Sequence, residues 1–175
     1  MFVPELFKQE IARLNQEIEK YEANNNYFEV SKTYQKIADL YHMVHKQNNS
    51  NIYYQKSIEY GLDCLHEVQE KAKLYEILAK NYENLKEYEE ALRYYQLEAL
   101  QYRNIDEYSD LPLQINKGNA YYAIARMYDQ LNHQTMAMIN YQKCYIIFYQ
   151  VWKQSQDDID YEKVSEVETF IRYRR

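Results

Sequence analysis

One pattern of seven residues occurs three times in this chain with the same internal spacing. The copies are Tyr34, Ile37, Ala38, Tyr41, Ser50, Tyr54 and Ser57; Tyr75, Leu78, Ala79, Tyr82, Ala91, Tyr95 and Glu98; and Tyr121, Ile124, Ala125, Tyr128, Ala137, Tyr141 and Cys144. Local wording recurs too, with SNIYYQKS from Ser50 to Ser57 answered by AMINYQKC from Ala137 to Cys144. Shared helix propensity alone would not produce that likeness. An internal repeat decides architecture first, because each copy is a unit that cannot bury its apolar surface alone and must stack on its neighbours.

Composition says what the units are made of. Gly61, Gly118, Pro4 and Pro112 are the only Gly and Pro, too few to supply the tight turns of a many-stranded sheet protein. Helix is what remains. At 175 residues the chain can bury a sizeable core as one domain without disulfides or a structural metal. Its 21 basic and 27 acidic residues are mixed along the chain and give a formal net charge of -6, which argues against general phosphate-backbone binding. No nucleic-acid partner is expected. Cys64 and Cys144 lack paired spacing, the opening MFVPELFKQE lacks the parts of a secretory signal, and the longest near-apolar stretch, Cys144 to Tyr149, is far too short to span a membrane. The expectation is a cytoplasmic protein without membrane insertion.

Apolar spacing and breakers predict about eight helices. Leu6, Ile11, Leu14, Ile18 and Tyr21 form the stripe of a first helix within residues 4–26, ended by Asn24-Asn25-Asn26. A second helix runs from about Tyr27 to His45 and ends in the polar cluster Gln47 to Asn51; a third spans roughly Asn51 to Glu67. Lys71 to Leu85 and Tyr88 to Asn104 read as a tight pair joined at Lys86-Glu87. Ser109-Asp110-Leu111-Pro112 reads as cap and first turn of a helix to Leu131, followed by one from about Gln134 to Gln154. Asp157-Asp158 would cap a last helix to Arg172, with Val164, Val167, Phe170 and Ile171 on its apolar face.

The signature resembles that of the tetratricopeptide repeat over about residues 31 to 151. Tyr34, Tyr75 and Tyr121 stand where that family has Trp, Ala38, Ala79 and Ala125 where it has Gly at the closest helix contact, and Ser50, Ala91 and Ala137 at the small site of the second helix. The chain departs from the family in three ways. Its copies lie 41 and 46 residues apart, the unit-ending Pro is absent, and Glu98 occupies a normally small site. Similar stretched repeats occur in peptide-sensing bacterial regulators and polarity scaffolds. The resemblance implies an all-α fold, a right-handed superhelical array of antiparallel helix hairpins forming a single domain over residues 1–175. Residues 27–68, 71–105 and 110–155 would make the repeats, and residues 4–26 and 158–173 would cap the ends.

In such an array the first helices line a concave groove, and the residues beside the signature positions should face it. These are Lys32, Gln35, Asp39 and His42; Lys73, Glu76, Lys80 and Glu83; and Asn119, Tyr122, Arg126 and Asp129. Nearly all are polar, as a groove for an extended peptide or partner helix requires; the plain alternative is a solvated face. Tetratricopeptide clamps for chaperone carboxylates use Lys and Asn, whereas this chain has Gln35 and Asp39, then Glu76 and Lys80, at the matching places. The expected function is therefore non-enzymatic: an adaptor binding a peptide or partner protein in its groove. The alternatives are a peptide-sensing regulator and a scaffold that self-associates through Tyr145, Ile146, Phe148, Tyr149 and Trp152. No cofactor, metal or catalytic residue is expected. The chain has no phosphate-cradling Gly-rich loop and no His-Glu-x-x-His, and neither His42 with His45 nor Cys64 with His66 has a third ligand at convincing spacing.

Overall fold

A computed structural model describes residues 4–61, 68–106 and 108–173, which hold eight helices and no strand. They are α1 (Pro4–Ala23), α2 (Tyr27–Met43), α3 (Gln47–Gly61), α4 (Val68–Asn84), α5 (Tyr88–Gln101), α6 (Leu111–Gln130), α7 (Gln134–Ser155) and α8 (Asp158–Arg172). The chain divides into two compact units, Met1–Leu85 and Lys86–Arg175.

In the first unit α1 packs on α2, α2 on α3, and α3 on α4. Leu14, Ile18, Val30 and Ile37 form its core, and each such side chain contributes about 1.5–3 kcal/mol by leaving water. Tyrosines close the edges: Tyr41 stacks on Tyr53 with ring centroids 5.4 Å apart, and Phe7 meets Tyr41 edge-on at 5.3 Å. Leu6, expected in the buried stripe, is 62% exposed, so Phe7 anchors the first turns of α1 instead. Small residues let α2 and α3 approach. Ala38, Ser50 and Ser57 have no exposed surface, and the Ser31 hydroxyl donates to the Ser57 carbonyl at 2.7 Å. Further along, Gln55 donates from α3 to the Tyr82 hydroxyl of α4 at 3.0 Å.

The second unit repeats this chemistry, with α5 on α6, α6 on α7 and α7 on α8. Gln96 of α5 donates to the Tyr128 hydroxyl of α6 at 3.1 Å, the same pairing as Gln55 with Tyr82 one repeat earlier. Lys143 lies 5.2 Å over the Tyr121 ring as Lys56 lies 5.4 Å over Tyr34. Ala125, Ala137, Tyr141, Cys144 and Phe148 form the core with Val164 and Val167 of α8, and Phe170 stacks on Tyr141 at 5.3 Å. The apolar face expected of the last helix is therefore the one it buries. Gly118 permits the tightest contact: a Cβ there would lie 2.4 Å from the Phe148 ring.

The corners are built without glycine. Asn25, His45, Lys86, Asn132 and Gln156 all have positive φ, between 54° and 62°. At three of these corners the next residue's N–H reaches back five residues to a tyrosine carbonyl, Asn26 to Tyr21, Lys46 to Tyr41 and His133 to Tyr128, at 2.8–3.0 Å. This closes the helix C-terminus in the Schellman manner. The new helix then starts at once. Gln47, Asn48, Asn49 and Ser50 thus belong to α3 and not to a loop, with the Ser50 N–H on the Lys46 carbonyl at 3.0 Å. A first helical turn leaves its N–H groups to solvent, so polar residues cost little there.

Gly118→Ala should lower stability by about 1–3 kcal/mol in urea unfolding, because the overpacked ring outweighs the helix-propensity gain of about 1 kcal/mol; Phe148→Leu in that background should recover part of the loss. Exchanging the left-handed His45 for Gly removes a backbone cost of about 1–2 kcal/mol, partly offset in the unfolded chain, and should raise the melting temperature by roughly 2 °C. The same exchange at Asn25 or Asn132 should do less, since Asn tolerates that conformation.

Candidate functional site

The residues expected to face a partner lie on α2, α4 and α6, and the structure divides them into two groups. Several serve their own unit. Lys32 donates to Glu70 of α4 at 2.6 Å and sits 5.4 Å over the Phe28 ring. Asp39 accepts the hydroxyl of the buried Tyr54, and Asp129 that of the buried Tyr141 at 2.7 Å. Burial first, then the bond to Asp39, pushes the Tyr54 phenol well above its ordinary range, so it stays a donor. Tyr122 donates to Glu166 of α8 at 2.6 Å and sets its ring against Tyr141 and Phe170. Its phenol is raised by burial and by that carboxylate.

The other group reaches solvent. Lys73 and Lys80 converge on Glu76 at 3.2 and 2.5 Å while their side chains stay 63% and 58% exposed. Burial would raise the Glu76 carboxyl, but the Lys80 hydrogen bond and the two positive charges prevail and hold it low. Asn119 and Arg126 are exposed on α6, Gln35 is half-buried on α2, and His42 is exposed. His45 forms a corner, and no cluster of three metal-binding side chains occurs among the described residues. Cys64 and His66 lie outside the described residues.

Of the side chains considered for self-association, Phe148 is 3% exposed and belongs to the core. Trp152 packs on Tyr161 of α8 at 5.2 Å and on Tyr149 at 5.6 Å, whereas Ile146 and Tyr149 are exposed.

Sequence reasoning missed a cleft of about 300 Å³ in the second unit, between α5, α6 and α7. Tyr121, Ile124 and Tyr128 line it from α6, on the far side of that helix from Asn119, Tyr122 and Arg126. Leu100 and Arg103 border it on one side, Met136 and Lys143 on the other, and among the described residues no carboxylate lines it. A signal for it existed: α7 contains no Asp or Glu over its 22 residues, although the chain as a whole is acidic.

No protein-family model matches the chain, and no curated protein matches it. Solved structures do. The N-terminal domain of stress-induced protein-1 from C. elegans superposes with a TM-score of 0.54 at 14% identity, over 81% of this chain and 97% of that one. BtubC from P. vanneervenii gives 0.56 at 15%, over 92% and 74%, and MamA gives 0.51 at 15%, over 99% and 94%. The fold is a helical repeat of the tetratricopeptide type. Among the described residues no helix is long and apolar enough to cross a membrane.

Burial pushes the Cys144 thiol up to about 12, and its sulfur donates to the Tyr141 carbonyl at 3.1 Å. In a Cys64→Ser background, Cys144 should therefore resist thiol-specific reagents at neutral pH, reacting at the rate of unfolding measured by circular dichroism.

Proposed function

We propose that the chain is a non-enzymatic protein-interaction module that holds a peptide or partner protein on the polar faces of its first helices. The observation that carries this reading is the exposure of Lys73 and Lys80 on α4, and of Asn119 and Arg126 on α6, beside positions already committed to packing. Likeness to helical-repeat structures supports it, since such folds leave a polar face available once the apolar faces are stacked. Lys32, Asp39, Glu76, Tyr122 and Asp129 act here mainly as supports, while Gln35 stays with the partner face. Their bonds fix the helices from which the exposed side chains project.

Polar side chains on a rigid helix face suit a partner that brings complementary charge and backbone groups. The contacts would be solvent-exposed, so the binding would weaken with salt.

Affinity capture from the native host with lysine-reactive crosslinking should yield partner peptides joined to Lys73 or Lys80. Lys80→Glu, and separately Arg126→Glu, should lower capture of that partner by about tenfold with helicity and melting unchanged. Undiminished capture by both variants would remove the site from these faces.

A further inference from the structure

We propose that the cleft between α5, α6 and α7, with the outer face of α7, is a second docking surface whose occupant is an acidic amphipathic helix of a partner protein. This rests on the reading of the chain as an interaction module, but names a different surface and a chemical class of partner.

Three observations lead there. The first is charge. Lys143 and Lys153 are the only charged residues of α7, in a chain whose acids outnumber its bases 27 to 21. Arg103 stands across the cleft from Lys143, and neither has a carboxylate partner among the described residues. Lys143 and Lys153 instead lie 5.2 Å over the rings of Tyr121 and Tyr149. A cation held over a ring keeps its charge for an arriving anion.

Second, the same face exposes apolar side chains among the uncharged Thr135 and Gln142. Met136, Ile139, Ile146 and Tyr149 are 41%, 40%, 56% and 36% exposed, while Ala137, Tyr141, Cys144, Phe148 and Val151 face the core. Their spacing puts them along one side of α7 for about 20 Å. Leu100, 50% exposed, adds to this surface from α5.

Third, the surface has a shaped recess. The cleft is floored by Tyr121, Ile124 and Tyr128, and its volume of about 300 Å³ suits one or two large side chains. A row of exposed apolar side chains beside such a recess matches a helix, whose side chains at i, i+3, i+4 and i+7 form a complementary row. Carboxylates flanking that row would reach Arg103, Lys143 and Lys153. Basic flanks would meet like charge.

The test uses the full chain and two synthetic helical peptides of roughly 18 residues, each with leucines on one face, one flanked by Glu and the other by Lys. Calorimetric titration should show saturable binding of the Glu peptide and much weaker binding of the Lys peptide, with the difference shrinking as salt rises. Arg103→Glu with Lys143→Glu should weaken the Glu peptide by about tenfold, as should Ile146→Asp, with circular dichroism unchanged. Lys80→Glu and Arg126→Glu should leave it unaffected. No binding of the Glu peptide, equal binding of the Lys peptide, or indifference to the charge reversals overturns the proposal. So does a concentration-dependent dimer in sedimentation that Ile146→Asp abolishes, since the face would then belong to a second copy. None of these results bears on partner capture through Lys80 and Arg126, so the two readings fail separately.

Discussion

Helix-to-helix distance in this fold is set by residues that are almost absent. Ala38, Ala79, Ala91 and Ala125 have no exposed surface, and Ser50 is likewise fully covered. A methyl or hydroxymethyl group at these points lets backbones come close enough for larger neighbours to interlock around them. The tyrosines depend on that closeness. Tyr54 and Tyr141 cross their hairpins completely buried because the aspartate that receives each hydroxyl lies on the adjoining first helix. A wider spacing would strand those hydroxyls, and a buried hydroxyl without a partner costs about 1–3 kcal/mol.

Much of this is legible in the sequence itself. The spacing from Tyr34 to Ser57 and its two copies identified the small and aromatic packing positions, most of them buried and the rest half-buried, and the run from Val164 to Ile171 identified the inner face of α8. The misreadings have physical causes. Gln47-Asn48-Asn49 looks like a loop by composition but forms a first helical turn, where unpaired N–H groups make polar residues welcome. The corners at His45, Lys86 and Gln156 carry no glycine, so nothing in residue type marked them as left-handed. Leu6 satisfied the period of a buried stripe, but it sits in the first turn of α1, where Phe7 makes the contact.

Candidate binding residues were harder to read, because a sequence gives a polar side chain's position without its partner. Asp39 and Lys80 look alike as groove residues; one receives a buried tyrosine hydroxyl and the other projects into solvent above Glu76. Tyr122, expected to face a partner, gives its hydroxyl to Glu166 of α8 and sets its ring against Phe170, contacts that no spacing in the sequence announces. The cleft on the other side of α6 escaped notice for a related reason. Tyr121 and Tyr128 belong to the packing signature, and a signature residue reads as core even where its outer edge borders open space.

The junction of α7 and α8 also gives the molecule a particular optical character. It has 22 tyrosines but a single tryptophan, and the indole of Trp152 lies 5.6 and 5.2 Å from the rings of Tyr149 and Tyr161. At such separations excitation captured by these two phenols drains into the indole by resonance transfer. Indole emission comes from this one residue, so its colour and yield would register the seating of α8 on α7.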